Sequence, residues 1–368
     1  MKILHLLTSI NTGGAEKFCV DICNTQTEIS ENDIYLCVLD KVNDDQPLVQ
    51  MISPNVNFIS LNKQDGYSLK VMYKIFKLLS KINPDIIHIN GRALIYSSIP
   101  ILLKRIPSIY TVHTMAHKEY NKYLRSYIKI LFHLFPSLFM PVAISKSVNE
   151  TVKNIYGDTL DTIIFNGSSK LTTTNKMDEV SLEISALKKD KNTLVFLSVG
   201  RISREKNTLL LIQTFNALLD EGQNVCLCIV GYDGTEDQSY YKECKNENKY
   251  SKHIKFVGRK ENIADYLSHA DAFCLTSHYE GLGLVALEAF SMGLPVLSTP
   301  SGGPEDIIVP DINGYISEQI NVENYIKILH IFIENPLRNR EKIIELYEDK
   351  YTMKVCASQY LKLYESKQ

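Results

Sequence analysis

The chain has 368 residues, 45% hydrophobic and 22% charged. That is the balance of a soluble globular protein, and the length exceeds what one ordinary core holds, so two domains are expected. A formal net charge of -2 argues against general nucleic-acid binding, which needs a strongly basic surface.

The first fourteen residues, MKILHLLTSINTGG, carry one lysine and a short apolar run. They read as a first strand, Ile3–Leu7, rather than a signal peptide. The loop after it reaches Gly13 and Gly14 at the start of a helix, Ala15–Gln26. A Gly-Gly helix start lets backbone approach a diphosphate, but the G-x-G-x-x-G dinucleotide fingerprint is missing. Glu16 is a first-turn acid of the kind the helix dipole favours. Cys19 and Cys23 share one helix face, as core cysteines do. Apolar runs at Ile34–Leu39, Val56–Ile59, Ile86–Ile89, Ile109–Val112, Leu138–Ile144 and Thr162–Phe165 read as further strands. Helical patterns at Leu69–Ile82 and Ser145–Ile155 lie between them. Such alternation implies parallel sheets covered by helices. His113 ends one strand, and His88 and Asn90 end another. Loops beyond the carboxyl ends of parallel strands are where ligands bind, so His113 is a candidate for catalysis or ligand contact. His117 and His133 read as structural.

Residues 1–165 hold 17 basic side chains against 14 acidic, and the remainder 23 against 28. Within 104–153 the count is eight against two. Inside that basic region Lys122, Arg125 and Lys129 recur at helical spacing beside Tyr123, Tyr127 and Phe132. A basic aromatic helix over 118–135 can rest on an anionic membrane surface; the alternative is an amphipathic helix whose apolar face is core. No run approaches the 18 or more apolar residues of a membrane span. The longest candidate, 128–144, is broken by Lys129, His133, Pro136 and Ser137.

A polar stretch, 167–192, reads as a linker between a first domain at 1–166 and a second at 193–350. Strands resume at Leu194–Val199, Val225–Val230, Ile254–Val257, Ala272–Leu275 and Pro295–Ser298. The expected class is therefore α/β, with two Rossmann-like, doubly wound parallel-sheet domains. An amphipathic helix at 351–368 follows the second. The eight cysteines include no Cys-x2-Cys pair, and Cys226 and Cys228 are too close for a usual bridge. A reduced cytosolic protein is the expectation.

The most telling segment is Glu280-Gly281-Leu282-Gly283-Leu284-Val285-Ala286-Leu287-Glu288. Two carboxylates flank a Gly-x-Gly turn that feeds an apolar helix. Carboxylates suit vicinal hydroxyls, and the unpaired N–H groups of a helix start suit phosphates. Together they read as a sugar-nucleotide cradle. Ser301-Gly302-Gly303-Pro304-Glu305 is another Gly-rich turn, explained mostly by Pro304 early in a helix. No Asp-x-Asp follows a strand and no His/Asp/Glu cluster has metal spacing, so chemistry without a metal or other cofactor is expected.

The stretch EGLGLVALEAFSMGLPVLSTPSGGPEDII, residues 280–308, resembles the E-x7-E region of family-4 retaining glycosyltransferases. Gly200, Arg201, Lys206 and Asn207 match that family's G-R-x(4)-K-N phosphate site. The resemblance implies a GT-B fold, two domains facing across a cleft, with the C-terminal helix crossing back to the first. It implies a nucleoside-diphosphate sugar as donor and a hydroxyl of a glycan as acceptor, the first domain supplying the acceptor side. A lipid-linked saccharide of bacterial surface polysaccharide (O-antigen, capsule or exopolysaccharide) is the expected acceptor, with the protein cytoplasmic or peripheral on the inner membrane face. Glu280 would hold donor-sugar hydroxyls, Glu288 the ribose diol, and Arg201 and Lys206 the departing diphosphate. Gly281, Leu282, Gly283 and Leu284 would line the donor, with Gly13 and Gly14 as a glycine loop. Gly258 and Arg259 would meet the nucleobase, and His113 would lie near the reaction centre. For His88 and Asn90 the resemblance implies an acceptor-side role or an architectural one, and the two stand equal. Front-face displacement is the mechanism the resemblance carries. Two rivals are a nucleotide-sugar epimerase on the same fold and a non-catalytic nucleotide-sugar-binding module.

Overall fold

In a computed structural model, which describes every residue except 12, 65, 159, 233–237 and 368, the alternation resolves into two parallel six-stranded sheets. They belong to two units, Met1–Ser168 with Lys350–Gln368, and Ser169–Asp349.

The first sheet comprises β1 Lys2–Leu7, β2 Asp33–Asp40, β3 Asn57–Lys63, β4 Ile86–Asn90, β5 Ser108–Val112 and β6 Phe139–Ala143, ordered β3-β2-β1-β4-β5-β6. Parallel strands covered on both faces need near-continuous apolar sequence, and β4 and β5 are buried at every position. The crossovers are amphipathic helices. Leu69–Ile82 buries Val71, Ile75, Leu78, Leu79 and Ile82, and ends on Asn83 in the left-handed region, whose N–H bonds to Leu79; this is a C-cap. Helix Lys146–Tyr156 starts on Ser145, whose hydroxyl accepts from the Val148 N–H, as N-caps do.

The second sheet comprises β7 Leu194–Val199, β8 Val225–Val230, β9 Ile254–Gly258, β10 Ala272–Leu275, β11 Val296–Ser298 and β12 Gly314–Ile316, ordered β12-β11-β10-β7-β8-β9. In both units the first strand lies beside the fourth. The order reverses there, making the crevice beyond their carboxyl ends the place for a ligand. The second core is centred on Phe196, edge-on to Phe215 at 5.2 Å and to Phe332 at 5.7 Å.

Three features differ from the sequence expectation. Residues Thr162–Phe165 form no strand; only Ile163 bridges to Ala143. The chain there turns to the C-terminal arm, where Ser168 N–H bonds to Tyr351 and Met353 N–H to Ser168. Gly167 passes so close that a Cβ on it would lie 2.5 Å from the Thr352 carbonyl oxygen. Second, the polar stretch 167–192 contains the helix Met177–Ser185, which buries Val180 and Ile184 within the second unit. Its Glu183 accepts from Tyr266 at 2.6 Å and pairs with Lys255 at 3.2 Å. Third, the three-residue β12 was too short to register as a pattern.

The C-terminal helix, Met353–Glu365, is part of the first unit. It buries Cys356, Ala357, Tyr360 and Tyr364. Tyr364 Oη meets His88 Nδ1 at 2.6 Å, and Tyr360 Oη meets Thr111 Oγ1 at 2.8 Å.

Candidate active site

The second unit brings the loop after β7 and the loop after β10 to one pocket at its switch point. The pocket is lined by Val199, Gly200, Arg201, Lys206, Thr276 and Ser277, among others. Gly200 has φ +155°, and its N–H bonds to Val230 at 3.0 Å. Facing it is Gly231, where a Cβ would stand 1.8 Å from the Gly200 oxygen. This close approach of two backbones was not visible in the sequence. Arg201 reaches outward, its side chain 52% exposed and 4.0 Å from Glu205. Ile202, buried beside it, anchors the loop.

Lys206 and Asn207 close that loop. Asn207 has φ +52° and is the N-cap residue of helix Thr208–Asp220; Asn tolerates the left-handed region better than most side chains. Thr276, just past β10, holds the turn: its hydroxyl reaches the Lys206 carbonyl at 3.0 Å and that of Asn207 at 3.2 Å. Lys206 Nζ then lies 2.7 Å from Glu280 Oε1, and Ser277 Oγ donates to the same oxygen at 2.6 Å.

Glu280 is fixed through its backbone as well. It bridges to Gly302 in strand-like fashion. Its N–H donates to Ser301 at 2.7 Å and its carbonyl accepts from Gly303 at 3.1 Å. A Cβ on Gly303 would lie 2.2 Å from Leu282 Cα. The turn at 301–303 therefore does more than start a helix: it seats the Glu280 loop. Leu282 is buried, and Gly283 (φ +87°) is the N-cap residue of helix Leu284–Ser291. Gly281, Leu284 and Glu288 are half-buried. At the end of β9, Gly258 (φ +76°) accepts from the Gly231 N–H at 2.9 Å. The Arg259 guanidinium sits 5.9 Å from the centre of the Tyr232 ring.

In the first unit, Gly13 is the N-cap residue of helix Gly14–Ile29, and the Glu16 carboxyl occupies the space a Gly13 Cβ would take, 2.2 Å away. His113 follows β5. Its Nε2 meets Asn90 Oδ1 at 2.9 Å, and Phe18 lies edge-on to its ring at 5.2 Å. Its Nδ1 is buried without a hydrogen-bond partner. Burial draws its pKa down to about 4, so the ring is neutral at pH 7.

His88 resolves toward architecture. It is fully buried, with Nδ1 on Tyr364 Oη and Nε2 on Thr111 Oγ1, both at 2.6 Å. Both nitrogens are used within the core, which favours the architectural role over the acceptor-side one. Asn90 is fully buried too and reaches His113 and Cys19 Sγ. Its side-chain oxygen holds the His113 ring.

The basic aromatic segment forms the helix Lys122–Leu134, capped by Asn121. Phe132 faces inward, tilted 36° to Tyr110 at 6.1 Å, and Tyr127 bonds to Ser98 at 2.8 Å. The expected row of outward aromatics is thus reduced to Tyr123, 75% exposed. Ile130 and Leu134 join it on the outside with Lys122 and Lys129. Among the described residues no helix is long and apolar enough to cross a membrane.

Comparison with known proteins gives a match in each half. Residues 12–167 match the family model Glycosyltransferase Family 4, and residues 181–348 match Glycosyl transferases group 1. The chain is 23% identical over 333 residues to an uncharacterized glycosyltransferase of Haemophilus influenzae, covering 89% of this chain and 88% of that protein. It is 24% identical over 312 residues to the Escherichia coli UDP-Gal:alpha-D-GlcNAc-diphosphoundecaprenol alpha-1,3-galactosyltransferase, covering 76% and 79%. The crystal structure of Anabaena HepE in complex with UDP and glucose superposes with a TM-score of 0.83 at 21% identity, covering 100% of both chains. At that identity the match speaks for the fold.

Proposed function

The chain belongs to the family-4 glycosyltransferases, and from that premise we propose that it is a retaining, metal-independent enzyme moving a sugar from a nucleoside diphosphate to a hydroxyl of a lipid-linked saccharide in bacterial surface-polysaccharide synthesis. The observation that carries the reading is the cluster of Lys206, Glu280 and Ser277 beside Arg201 at the switch point of the second sheet. It sets a cation for phosphate against a carboxylate for hydroxyls.

When the bond from the anomeric carbon to the phosphate oxygen breaks, negative charge gathers on the diphosphate. Fixed positive charge aimed at that oxygen lowers the barrier. Lys206 and Arg201 supply it, and the first N–H groups of helix Leu284–Ser291 add their share. These cations take the part a divalent ion has elsewhere, hence the metal-independent reading. Glu280, tied by Ser277 and by its backbone bridge to Gly302, keeps a carboxylate ready for donor-sugar hydroxyls. Glu288, on the second turn of that helix, takes the ribose diol. The acceptor oxygen attacks the anomeric carbon from the face the phosphate leaves, and its proton passes to the leaving phosphate oxygen. Configuration at that carbon is retained. His113 with Nε2–H on Asn90 Oδ1 has a free Nδ1 lone pair, suited to accept from a sugar hydroxyl.

The lipid-linked acceptor rests on two supports. The Escherichia coli relative acts on a diphosphoundecaprenol-linked sugar, as its name states. The outer face of helix Lys122–Leu134 combines Lys122 and Lys129 with exposed Tyr123, Ile130 and Leu134, a composition suited to the inner face of an anionic membrane. The decisive experiment offers UDP-, GDP- and ADP-sugars in a thermal-shift panel, then follows transfer to a diphosphoundecaprenol-linked sugar with EDTA present. An acceptor-dependent product that keeps the donor's anomeric configuration is expected. Conversion of the nucleotide sugar without acceptor, loss of activity in EDTA, or inversion would each remove the corresponding part of the proposal.

A further inference from the structure

Outside that site, His5, Cys19 and Cys23 gather inside the first unit. His5 lies in the middle of β1, and the two cysteines are one turn apart on the helix that covers it. All three are completely buried, and a ring nitrogen and both sulfurs lie within 4.8 Å of one another.

His5 Nε2 meets Gln26 Oε1 at 2.8 Å, and Gln26 Nε2 in turn donates to Tyr364 Oη at 3.3 Å. The amide therefore offers its oxygen to the ring, which places the His5 proton on Nε2. That leaves Nδ1 as a buried lone pair, and the ring's other hydrogen-bonding neighbour is the Cys19 thiol. An imidazole oriented by an amide oxygen, with a ring nitrogen within 4.8 Å of two thiol sulfurs, has the second-shell arrangement of a metal ligand. Asn90 adds an N–H donor to Cys19 Sγ at 3.5 Å, which favours a thiolate there.

A disulfide does not explain the pair. Side chains four apart on a helix hold their Cβ atoms roughly 5–6 Å apart, whereas a disulfide needs about 3.5–4.5 Å. The helix runs unbroken from Gly14 to Ile29. We propose that His5 Nδ1, Cys19 Sγ and Cys23 Sγ form a buried site for one thiophilic d10 cation, Cu(I) or Zn²⁺. Two sulfurs and an imidazole make a soft donor set. Zn²⁺ prefers four ligands, so a three-ligand site favours Cu(I). Metal–sulfur bonds of about 2.3 Å and a metal–nitrogen bond of about 2.0 Å need the ligand atoms to close by less than roughly 1 Å, which side-chain rotation supplies. Binding displaces the two thiol protons and ties β1 to its covering helix. The site shares Asn90 with His113 but uses none of the groups proposed for the donor, so it survives if that reading fails.

The full chain, purified in reductant and stripped with chelator, would be titrated anaerobically with Cu(I) and separately with Zn²⁺, each against a chromophoric competitor. One equivalent per chain is expected, with a rise in melting temperature as ligand linkage requires. The Cys226→Ala/Cys228→Ala variant should bind equally, and Cys19→Ser/Cys23→Ser should lose the equivalent. If the latter fails to fold, bound metal on wild-type protein should shield Cys19 and Cys23 from alkylation, mapped by mass spectrometry. The inference is overturned if wild-type protein binds neither cation, if binding persists in Cys19→Ser/Cys23→Ser, or if the shielded cysteines are others.

Discussion

Lys206 and Glu280, 74 positions apart in sequence, meet at 2.7 Å between Nζ and Oε1. The cation proposed for the diphosphate and the carboxylate proposed for the sugar are thus each other's partner. Neither is fully exposed, with side chains 25% and 11% accessible. A donor entering here must share or displace that ion pair, so the two side chains should separate kinetically. Lys206→Ala should lower turnover by about 10²-fold, as loss of a transition-state charge contact does, and also weaken nucleoside-diphosphate binding. Glu280→Gln keeps a group for Ser277 but frees Lys206. Its turnover should fall by a similar factor while nucleoside-diphosphate affinity holds or rises. Calorimetric Kd values beside kcat would test this; equal weakening of nucleotide binding in both variants would defeat the division of roles.

Glu288→Ala should weaken donor binding by about 1.5–3 kcal/mol, the range for a charged hydrogen bond. Because the proposed partner is the ribose diol, the loss should be much smaller with a 2′-deoxy nucleotide. Unaltered affinity with the ribonucleotide would remove Glu288 from the site.

Gly303 has no room for a side chain, since a Cβ would press on Leu282 Cα at 2.2 Å and on the Gly281 oxygen at 2.6 Å. Backbone atoms cannot swing aside as side chains do. Gly303→Ala should therefore destabilise the protein by roughly 1–3 kcal/mol, the usual cost of overpacking. It should also lower kcat more than it raises the nucleotide Kd, because the Glu280 loop moves and the Lys206 loop does not. A wild-type kcat in a folded Gly303→Ala protein would show that the seat does not matter.

The parts legible in the sequence are local ones. The apolar strands and the Gly-x-Gly between Glu280 and Glu288 are contiguous patterns, and so are visible without a fold. What escaped depends on approach through space. Thr276 holds the Lys206 turn, and Gly231 and Gly303 are defined by the backbones they admit. No spacing rule reaches those pairs. Helix Met177–Ser185 was hidden by the polar residues around Val180 and Ile184. Periodicity on Lys122–Leu134 showed apolar and basic stripes but not which aromatics turn inward. Cys19 and Cys23 looked like ordinary core because β1, which brings His5 to them, lies elsewhere in the chain.

His113 should not titrate in the physiological range. Burial draws its pKa to about 4, below the ordinary 6.5. A folded-state pKa below the unfolded one makes the unfolded chain bind more protons between those values. The contribution is therefore fully present above about pH 6.5 and is lost as pH falls from there through about 4. His88, also lowered by burial, adds in the same direction. NMR titration of the folded protein should find the His113 ring neutral down to about pH 5. His113→Gln should flatten part of the stability loss on acidification. A His113 midpoint above 6 would contradict the buried neutral ring.

The outer face of helix Lys122–Leu134 gives the last prediction. Ile128, Leu131 and Phe132 are committed to the core, so the core alternative accounts for one stripe only. The other stripe exposes 75% of Tyr123, 54% of Ile130 and 68% of Leu134 beside exposed Lys122 and Lys129. Each lysine near an anionic surface contributes about 1 kcal/mol, an attraction that falls off within a Debye length. The protein should float with phosphatidylglycerol-containing liposomes at low salt and less so at high salt. Lys122→Ala/Lys129→Ala should cut the bound fraction several-fold, and Tyr123→Ser/Leu134→Ser should remove what persists in salt. All four side chains point outward, so the variants should fold normally. If wild-type protein stays in the unbound fraction at low salt, or the lysine variant floats as well as wild type, the membrane-facing role is wrong. A water-soluble glycan would then be the better acceptor to try.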